Sequence, residues 1–193
     1  MSDLLADLKA MRRARWIRRV LREHKLLRLC EIGVRQGKGL RRLRRARPEI
    51  LVGVDCWLAD GDLAHNDLSF SQAALDAMYR KACAMMVEIP ALRILRMYSH
   101  EAALCFPDGF FDYVYIDADH TYAAVCQDIA TWYPKVRSGG ILAGHDFLHH
   151  TVPQTGVAFG VVEAVTEFVQ ANNLQERFHK TTDRFASWYV VKP

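Results

Sequence analysis

The stretch LRLCEIGVRQGKGLRRL, residues 27–43, joins an apolar run to a helical pattern through a turn that holds three glycines. Residues 26–32 are short and apolar, as in a buried strand, and residues 38–47 carry apolar side chains at helical spacing until Pro48 ends the pattern. Glycine tolerates left-handed backbone and close approach, so glycines between a strand and a helix are typical of a turn that wraps the polar group of a ligand. The stretch predicts a strand, turn and helix of an α/β fold.

Three ligands compete for this turn: a triphosphate, a dinucleotide pyrophosphate and the amino-acid end of S-adenosylmethionine (SAM). A P-loop needs GxxxxGK followed by Ser or Thr, but Gly33 and Gly37 are one residue too close, and Gly39 stands where the hydroxyl belongs. A dinucleotide turn needs GxGxxG, which the residues after Gly33 do not supply. The pattern that is left is an acid, one further residue and then GxxxG, formed by Glu31, Gly33 and Gly37.

Length and composition indicate a single globular domain over residues 1–193. Of these residues 51% are hydrophobic, which is enough for a sizeable core, and no apolar run has the length of a membrane span. We expect a cytoplasmic protein with no membrane partner, because the basic N-terminus lacks the apolar stretch of a signal peptide. Five scattered cysteines, without CxxC spacing, indicate neither a disulfide framework nor a zinc site.

Arginines are concentrated near the N-terminus, where residues 1–24 predict a basic amphipathic helix. Ala14, Ile17 and Leu21 share one face of this helix, and arginines take most of the rest. We favour a solvated helix that packs on the sheet or on a second copy of the chain, since no aromatic stacking platform accompanies the charge. Nucleic acid is the alternative partner, and a homodimer through this helix is a hypothesis.

Apolar strands and helical patterns alternate along the rest of the chain. The predicted strands cover residues 26–32, 50–55, 92–97, 111–116 and 141–144, and the predicted helices cover residues 38–47, 71–88, 101–106, 122–136 and 157–172. This alternation predicts a mostly parallel sheet with helices on both faces. Two further strands, residues 177–181 and 187–191, are separated by a tight turn and therefore form an antiparallel hairpin.

Polar residues follow the predicted strands at the edge where ligands bind in open parallel sheets. The strand ends carry Glu31 and Gly33, Asp55, Ser99, Asp117 with Asp119 and His120, and His145 with Asp146. Asp55 closes the second strand about twenty residues after the glycine turn, where a carboxylate accepts hydrogen bonds from ribose hydroxyls. The strand ends predict the active site.

The ordered series of motifs resembles the class I SAM-dependent methyltransferases over almost the whole chain. CEIGVRQGKGL is similar to their first motif, GVDCW to their acidic second motif, and the closing SWYVVKP to their antiparallel last strand. IDADHTY and GHD, residues 116–122 and 144–146, resemble the small-molecule O-methyltransferase-like branch, which carries IDxDHxY and GHD. The resemblance implies a Rossmann-like methyltransferase fold with a central, mostly parallel seven-stranded sheet and an antiparallel C-terminal strand.

The resemblance also implies roles for residues at the strand ends. The implied SAM-binding residues are Glu31, Gly33 and Gly37 at the methionine portion, Asp55 at the ribose, Ser99 and His100 at the adenine, and Asp117. The implied metal ligands are Asp117, His145 and Asp146, and the implied ion is Mg, Mn or Fe. His145 replaces the expected acid, and imidazole suits manganese, iron or zinc better than magnesium.

Methylation of a hydroxyl needs a base or a divalent cation, because a hydroxyl is a poor nucleophile at neutral pH. His120 and His145 are the candidate bases, and Asp117 completes the predicted catalytic set. We expect Asp128 on the polar surface of its helix. The loop over residues 57–70 is expected to cover a small-molecule acceptor, with Trp57 as an apolar wall or a core residue; the further acceptor contacts expected there are Asp60, Asp62, His65 and Asp67.

The leading hypothesis is therefore a SAM-dependent methyltransferase that acts on a small hydroxylated acceptor. A nucleic-acid methyltransferase is one alternative, although DADH stands where amino-group methylases of bases commonly carry (N/D)PP(Y/F). A SAM-binding protein without turnover, which docks through the arginine-rich helix, is the other.

Overall fold

Seven strands form one sheet in the computed structural model, which describes residues 3–12, 14–59, 70–153 and 156–193. The strands are β1 (Arg28–Ile32), β2 (Ile50–Asp55), β3 (Leu92–Arg96), β4 (Phe111–Ile116), β5 (Val136–Gly144), β6 (Phe178–Lys180) and β7 (Trp188–Val191). The helices are α1 (Leu4–Ala10), α2 (Ile17–Glu23), α3 (Lys38–Leu43), α4 (Gln72–Glu88), α5 (Ser99–Ala103), α6 (Tyr122–Trp132) and α7 (Val161–Ala171). Short 3₁₀ turns cover Ala14–Trp16, Arg44–Ala46 and Gln175–Arg177.

The strand order β3-β2-β1-β4-β5-β7-β6 gives the predicted Rossmann-like arrangement. Strands β1 to β5 pair in parallel, and β7 runs antiparallel to both β5 and β6. In register, Ile32 at the end of β1 lies opposite Val54 of β2 and Ile116 of β4. The carboxyl ends of the central strands therefore lie at one level, and the residues that follow them meet at one edge of the sheet.

The two faces of the sheet carry two separate apolar cores, which confirms that helices cover both faces. Leu29 of β1 packs in the core that holds α1 to α4, and Cys30 packs in the core that holds α5, α6 and α7. Successive side chains of a strand point to opposite faces, so a short apolar strand supplies both cores.

The N-terminal segment differs from the single helix expected over residues 1–24. Helix α1 ends at Ala10, Met11 is extended and buried, and α2 begins only at Ile17. Two hydrogen bonds with the turn between β6 and β7 stabilise this break: Thr182 N donates to Arg12 O at 3.0 Å, and Ala14 N donates to the Asp183 carboxylate oxygen Oδ2 at 2.7 Å. The contacts that divide the helix thus come from the other end of the chain.

The apolar stripe of the segment is buried within the same chain. Leu8, Met11, Ile17, Val20 and Leu21 all belong to one core. The stripe is therefore not available to a second subunit, and a homodimer stays a prediction without that support.

Several other element boundaries differ from expectation. Helix α6 stops at Trp132 rather than residue 136, since Pro134 has no amide hydrogen with which to continue the helical hydrogen bonds. Strand β5 begins at Val136, five residues earlier than expected, and its register against β4 is irregular. Helix α7 begins at Val161, four residues later than expected, and α5 begins at Ser99, two residues earlier.

Three further findings concern the expected absence of a membrane span, the cysteines and the acceptor loop. No helix in the described part of the chain combines the length and apolarity that crossing a membrane requires. All five cysteines are free. The expected acceptor contacts Asp60, Asp62, His65 and Asp67 lie outside the described residues.

Replacing Leu21 by alanine tests whether α2 belongs to the core. Leu21 is fully buried, so Leu21→Ala should lower the free energy of unfolding by about 2–5 kcal/mol in urea denaturation. Leu104→Ala is the matched control, because Leu104 is 82% exposed and its loss should cost less than about 0.5 kcal/mol. Equal effects of the two substitutions would contradict the packing of α2.

Candidate active site

Backbone hydrogen bonds between neighbouring strands bring the predicted site residues together. Gly33 N donates to Val54 O at 2.9 Å, Asp117 N to Ile32 O at 2.8 Å, and His145 N to Ile116 O at 3.0 Å. A β-carbon built on Gly33 would lie 2.0 Å from the carbonyl oxygen of Asp117, and the φ angle of Gly33 is +89°. Only glycine fits at this point, where the turns after β1 and β4 touch.

One cavity of about 670 Å³ opens at this edge and is lined by most of the predicted residues. The predicted residues on its wall are Glu31, Gly33, Asp55, Ser99, His100, Asp117, Asp119, His120, His145 and Asp146. Gly37 does not line the cavity: it begins α3 with a φ of +75°, and an added β-carbon would lie 2.6 Å from Met85 Sδ. The geometry of the turn accounts for Gly37 without a ligand.

Glu31 is a buried carboxylate, 2% exposed, that packs against the backbone of Gly39. A β-carbon on Gly39 would overlap Glu31 Oε1, so this glycine makes room for the acid. Burial, and then the charge of Asp117, raises the pKa of Glu31 well above its ordinary value. Among the described residues, Glu31 Oε2 has no hydrogen-bond partner. The sequence interpretation of the turn did not find the role of Gly39.

Asp55 is held in position by two backbone amides. Its carboxylate accepts from Arg35 N at 2.7 Å and from Trp57 N at 2.9 Å. Arg35 and Trp57 have φ angles of +50° and +45°, which are uncommon for residues other than glycine. Burial raises the pKa of Asp55 despite these donors. Trp57 is both a wall of the cavity and a buried residue, and its indole Nε1 donates to Arg35 O at 3.0 Å.

Asp128 is buried at the end of the cavity that holds Ser99, which corrects the expectation of a surface position. The hydroxyl of Ser99 donates to Asp128 Oδ1 at 2.5 Å and accepts from the Trp132 indole at 2.8 Å. Burial raises the pKa of Asp128 to about 6. On a helix in isolation Asp128 looks like a surface acid, and only the packing of α5 against α6 buries it.

His100 and Asp119 meet the cavity in different ways. His100 is exposed, and its ring stacks on Tyr98 with centroids 5.9 Å apart. Asp119 accepts from Thr121 N at 2.8 Å, so its carboxylate stabilises the turn that begins α6.

Two histidines and two carboxylates, all in the segments that follow β4 and β5, form a compact charged group. His120 Nε2 lies 3.0 Å from Asp146 Oδ2 and 3.6 Å from Asp117 Oδ1. His145 Nδ1 lies 2.9 Å from Asp146 Oδ1 and 3.8 Å from Asp117 Oδ1. The His120 ring stacks on Phe159, with centroids 4.6 Å apart, which fixes its orientation.

The charges in this group shift each other's pKa values. Burial alone would lower the pKa of His120, but Asp117 and Asp146 outweigh it and raise that pKa to about 10. At His145, burial would again lower the pKa, but Asp146 and Asp117 outweigh burial and raise that pKa. Burial would raise the pKa of Asp146, yet His120 and His145 lower it. Without a further cation, the histidines are the positive partners of the carboxylates.

The ligand atoms of Asp117, His120 and Asp146 all lie within 4.8 Å of one another, which is a spacing that suits a metal ion. His120 Nε2 and Asp146 Oδ1 are buried and have no partner in hydrogen-bond geometry among the described residues, despite the short ion-pair distances. His120 takes part in this group, whereas the resemblance implied His145.

The family is shown by a match over more than half of the chain. A family model described as a methyltransferase domain matches residues 30–147, from the glycine turn to the segment after β5. The chain therefore belongs to this methyltransferase domain family. A comparison with curated proteins finds no match.

Solved structures with the same fold include several methyltransferases. The O-methyltransferase NovP matches with a TM-score of 0.64 at 16% identity, over 98% of this chain and 79% of that one. A putative O-methyltransferase from Klebsiella pneumoniae matches with a TM-score of 0.61 at 14% identity, over 100% and 91%. An O-methyltransferase from Bacillus cereus in complex with SAH matches with a TM-score of 0.56 at 15% identity, over 100% and 92%. At such identities the likeness is one of fold, and it confirms the resemblance to class I methyltransferases at that level.

Replacing Asp128 by asparagine should stabilise the protein in a pH-dependent way. The carboxyl ionises near pH 3.8 when unfolded but near pH 6 when folded, so burying its charge costs up to about 3 kcal/mol above pH 6 and little below pH 4. Asparagine stays neutral and still accepts from Ser99. In urea denaturation, Asp128→Asn should therefore gain about 1–3 kcal/mol at neutral pH, and this gain should shrink towards pH 4.

Asp108→Asn is the control, because Asp108 is exposed and lies outside the cavity lining. Its effect should be small at every pH. A gain for Asp128→Asn that does not depend on pH would contradict the burial of a titrating carboxyl.

Proposed function

We propose that the protein is a SAM-dependent O-methyltransferase that acts on a small hydroxylated acceptor with the help of a divalent cation. The observation that carries the proposal is the shared cavity, which joins Glu31 and Asp55 to the group of Asp117, His120 and Asp146. Its volume of about 670 Å³ lies within the range of small-molecule sites. Methyl transfer to oxygen needs these two halves side by side: a cofactor site and a site that activates a hydroxyl.

The cofactor half offers a complementary group for each polar part of SAM. Glu31 Oε2 is a buried acceptor without a partner among the described residues, and the α-ammonium group of the methionine portion would satisfy it. The amides of Arg35 and Trp57 orient the Asp55 carboxylate, whose other lone pairs are free to accept from the ribose hydroxyls. Ser99, His100 and Asp128 then surround the adenine, whose exocyclic amine can donate to Asp128.

The reaction is an in-line displacement in which the acceptor oxygen forms a bond to the methyl carbon. The bond from carbon to sulfur breaks, and its electron pair stays on sulfur as S-adenosylhomocysteine forms. The hydroxyl proton passes to the neutral form of His145, whose side chain is 30% exposed, whereas that of His120 is 19% exposed and stacked beneath Phe159. Asp146 Oδ1 lies 2.9 Å from His145 Nδ1 and orients the ring, and a cation held by Asp117 and Asp146 would compensate the carboxylates that raise the pKa of His145.

The second half of the cavity could hold a divalent ion between Asp117, His120 and Asp146. A bound divalent cation would supply positive charge that lowers the pKa of the acceptor hydroxyl. One imidazole with two carboxylates favours Mn²⁺ or Fe²⁺ over Mg²⁺, which prefers oxygen ligands alone. His145 remains available for the proton in this arrangement, so the two histidines have different tasks.

Calorimetric titration with SAM and S-adenosylhomocysteine tests the cofactor half. The wild-type protein should bind both ligands, and Asp55→Ala should weaken binding at least about tenfold, because a carboxylate that accepts from two ribose hydroxyls contributes more than about 1.4 kcal/mol. Asp108→Ala removes an exposed acid outside the cavity lining and should leave the affinity unchanged.

Absence of binding by a folded wild-type protein would contradict the proposal. Binding without formation of S-adenosylhomocysteine on catechol, caffeate or simple sugar alcohols, with Mn²⁺ or Mg²⁺ present, would instead favour a cofactor-binding protein without turnover.

Titration with Mn²⁺, followed by electron paramagnetic resonance of the free ion, separates the two histidines without measuring activity. Asp117→Asn and His120→Ala should each weaken Mn²⁺ binding by about tenfold or more, as expected for the loss of one ligand. His145→Ala should retain Mn²⁺ affinity but lose methyl transfer. His149→Ala is the control, because His149 is exposed and pairs with Glu163 at 3.4 Å.

Loss of Mn²⁺ affinity in His145→Ala, with affinity kept in His120→Ala, would restore the ligand set implied by the resemblance. Failure of the wild-type protein to bind Mn²⁺ would remove the cation from the proposed function.

A further inference from the structure

Charge is strongly segregated along the chain, and the proposed methyl transfer does not account for it. Residues 1–48 hold sixteen of the 26 basic residues but only four of the 22 acidic ones, which corresponds to +12 there and −8 in the remainder. Thirteen of these sixteen are arginines. The planar guanidinium group of arginine pairs with phosphate through two hydrogen bonds, which lysine does not match.

The fold gathers part of this charge in one cleft of about 510 Å³, here called the arginine cleft. Helix α2 packs against the 3₁₀ turn Arg44–Ala46, so Arg22 joins Arg44, Arg45 and Arg47 on the cleft wall, and residues 88–91 complete the lining with Pro48. Residues 47–48 and 90–91 precede strands β2 and β3, so the cleft lies at the amino edge of the sheet. The cofactor cavity opens at the carboxyl edge, and the two sites are therefore separate.

The positive charge of the arginine cleft is largely unpaired. Glu88 is the only acid among the described residues that line it, and it lies 3.6 Å from Arg44 and 3.7 Å from Arg41 on an exposed surface, where ion pairs contribute little. Within the described ranges, Arg22, Arg45 and Arg47 form no ion pair. Unpaired guanidinium groups lining a cleft favour an anionic partner.

A membrane or a protein fits this surface less well than a polyphosphate chain. The apolar residues of α2 are buried in the core, so the helix offers no apolar face to insert into a lipid surface. Stable protein interfaces have an apolar centre with few charges, whereas interfaces with nucleic acid are polar and strongly positive.

We propose that the arginine cleft docks the phosphate backbone of a nucleic acid, at a site separate from the methyl-transfer cavity. The guanidinium groups contact phosphates irrespective of base sequence, so the cleft holds the protein on its partner rather than selecting a methyl acceptor. The inference does not depend on the proposed acceptor or on the cation.

Fluorescence anisotropy of a labelled single-stranded RNA of about 20 nucleotides, and of DNA of the same sequence, tests the inference. Titrations of the wild-type protein between about 50 and 200 mM NaCl should give an affinity that falls steeply with salt. The triple variant Arg22→Gln, Arg45→Gln, Arg47→Gln should bind at least tenfold more weakly. Its salt slope should fall by about 2, because each phosphate that is no longer neutralised lowers the slope by roughly 0.7.

The matched control Arg80→Gln, Lys81→Gln, Arg184→Gln removes three exposed charges outside the arginine cleft and should change the affinity less than about twofold. Thermal melting of both variants checks that they fold; if the triple glutamine variant melts early, Arg22→Lys with Arg45→Lys keeps the charge and removes only the bidentate contacts. Weaker binding in that variant would support the inference. Three results would overturn it: an equal decrease in affinity in the control variant, no RNA or DNA binding by the wild-type protein at about 50 mM NaCl, or cleft-dependent binding to phosphatidylserine vesicles alone.

Discussion

The common level at which four parallel strands end is the constraint on which the site depends. The residue that directly follows each of β1, β4 and β5 donates its backbone amide to a carbonyl oxygen at or next to the end of a neighbouring strand, at 2.8 to 3.0 Å. Gly33 is required where two of these turns touch, because the Asp117 carbonyl occupies the space of a β-carbon. A shift of one strand by one residue would break these hydrogen bonds and move the following acid or histidine out of the cavity.

Electrostatics divide the cavity into two ends. At the glycine turn, burial raises the pKa values of Glu31 and Asp55, and it does the same for Asp128 beside Ser99. Near β4 and β5, by contrast, His120 and His145 neutralise the carboxylates and lower the pKa of Asp146. The first end therefore holds acids that are costly to bury without donors, and the second holds a balanced group that a cation can join or replace. A ligand with several donors, such as SAM, would relieve the first cost.

The arginine cleft illustrates how an amphipathic pattern is divided between packing and solvent. Ile17, Val20 and Leu21 are buried in the core of the same chain. The apolar stripe that had suggested a dimer is therefore not exposed to a second copy. The arginines remain outside, and the 3₁₀ turn brings further arginines beside them. A sequence pattern that packs one face of α2 on the core thus places its basic face at the amino edge of the sheet, away from the cofactor cavity.

The elements that depend on local pattern were predictable from the sequence. Strands β2 and β4 have the predicted bounds, because short apolar runs between turn residues are strands whatever surrounds them, and the glycine turn and the closing hairpin follow from local backbone preferences. Nearly all the residues nominated by the rule that ligands bind at carboxyl strand ends do line the cavity.

Contacts between distant residues decided the rest. The burial of Asp128 depends on Ser99, 29 residues away, and the division of the N-terminal helix depends on Thr182, which is 170 residues from Arg12. The choice between His120 and His145 rests on side-chain positions, which place His120 with Asp117 and Asp146 in the group of possible ligand atoms, and the arginine cleft depends on the packing of α2 against the turn after α3. Periodicity along the chain carries information about neighbours within a few residues, so it determined the order of strands and helices. Only the tertiary structure determined which side chains are enclosed together, because enclosure depends on the packing of elements that are remote in sequence.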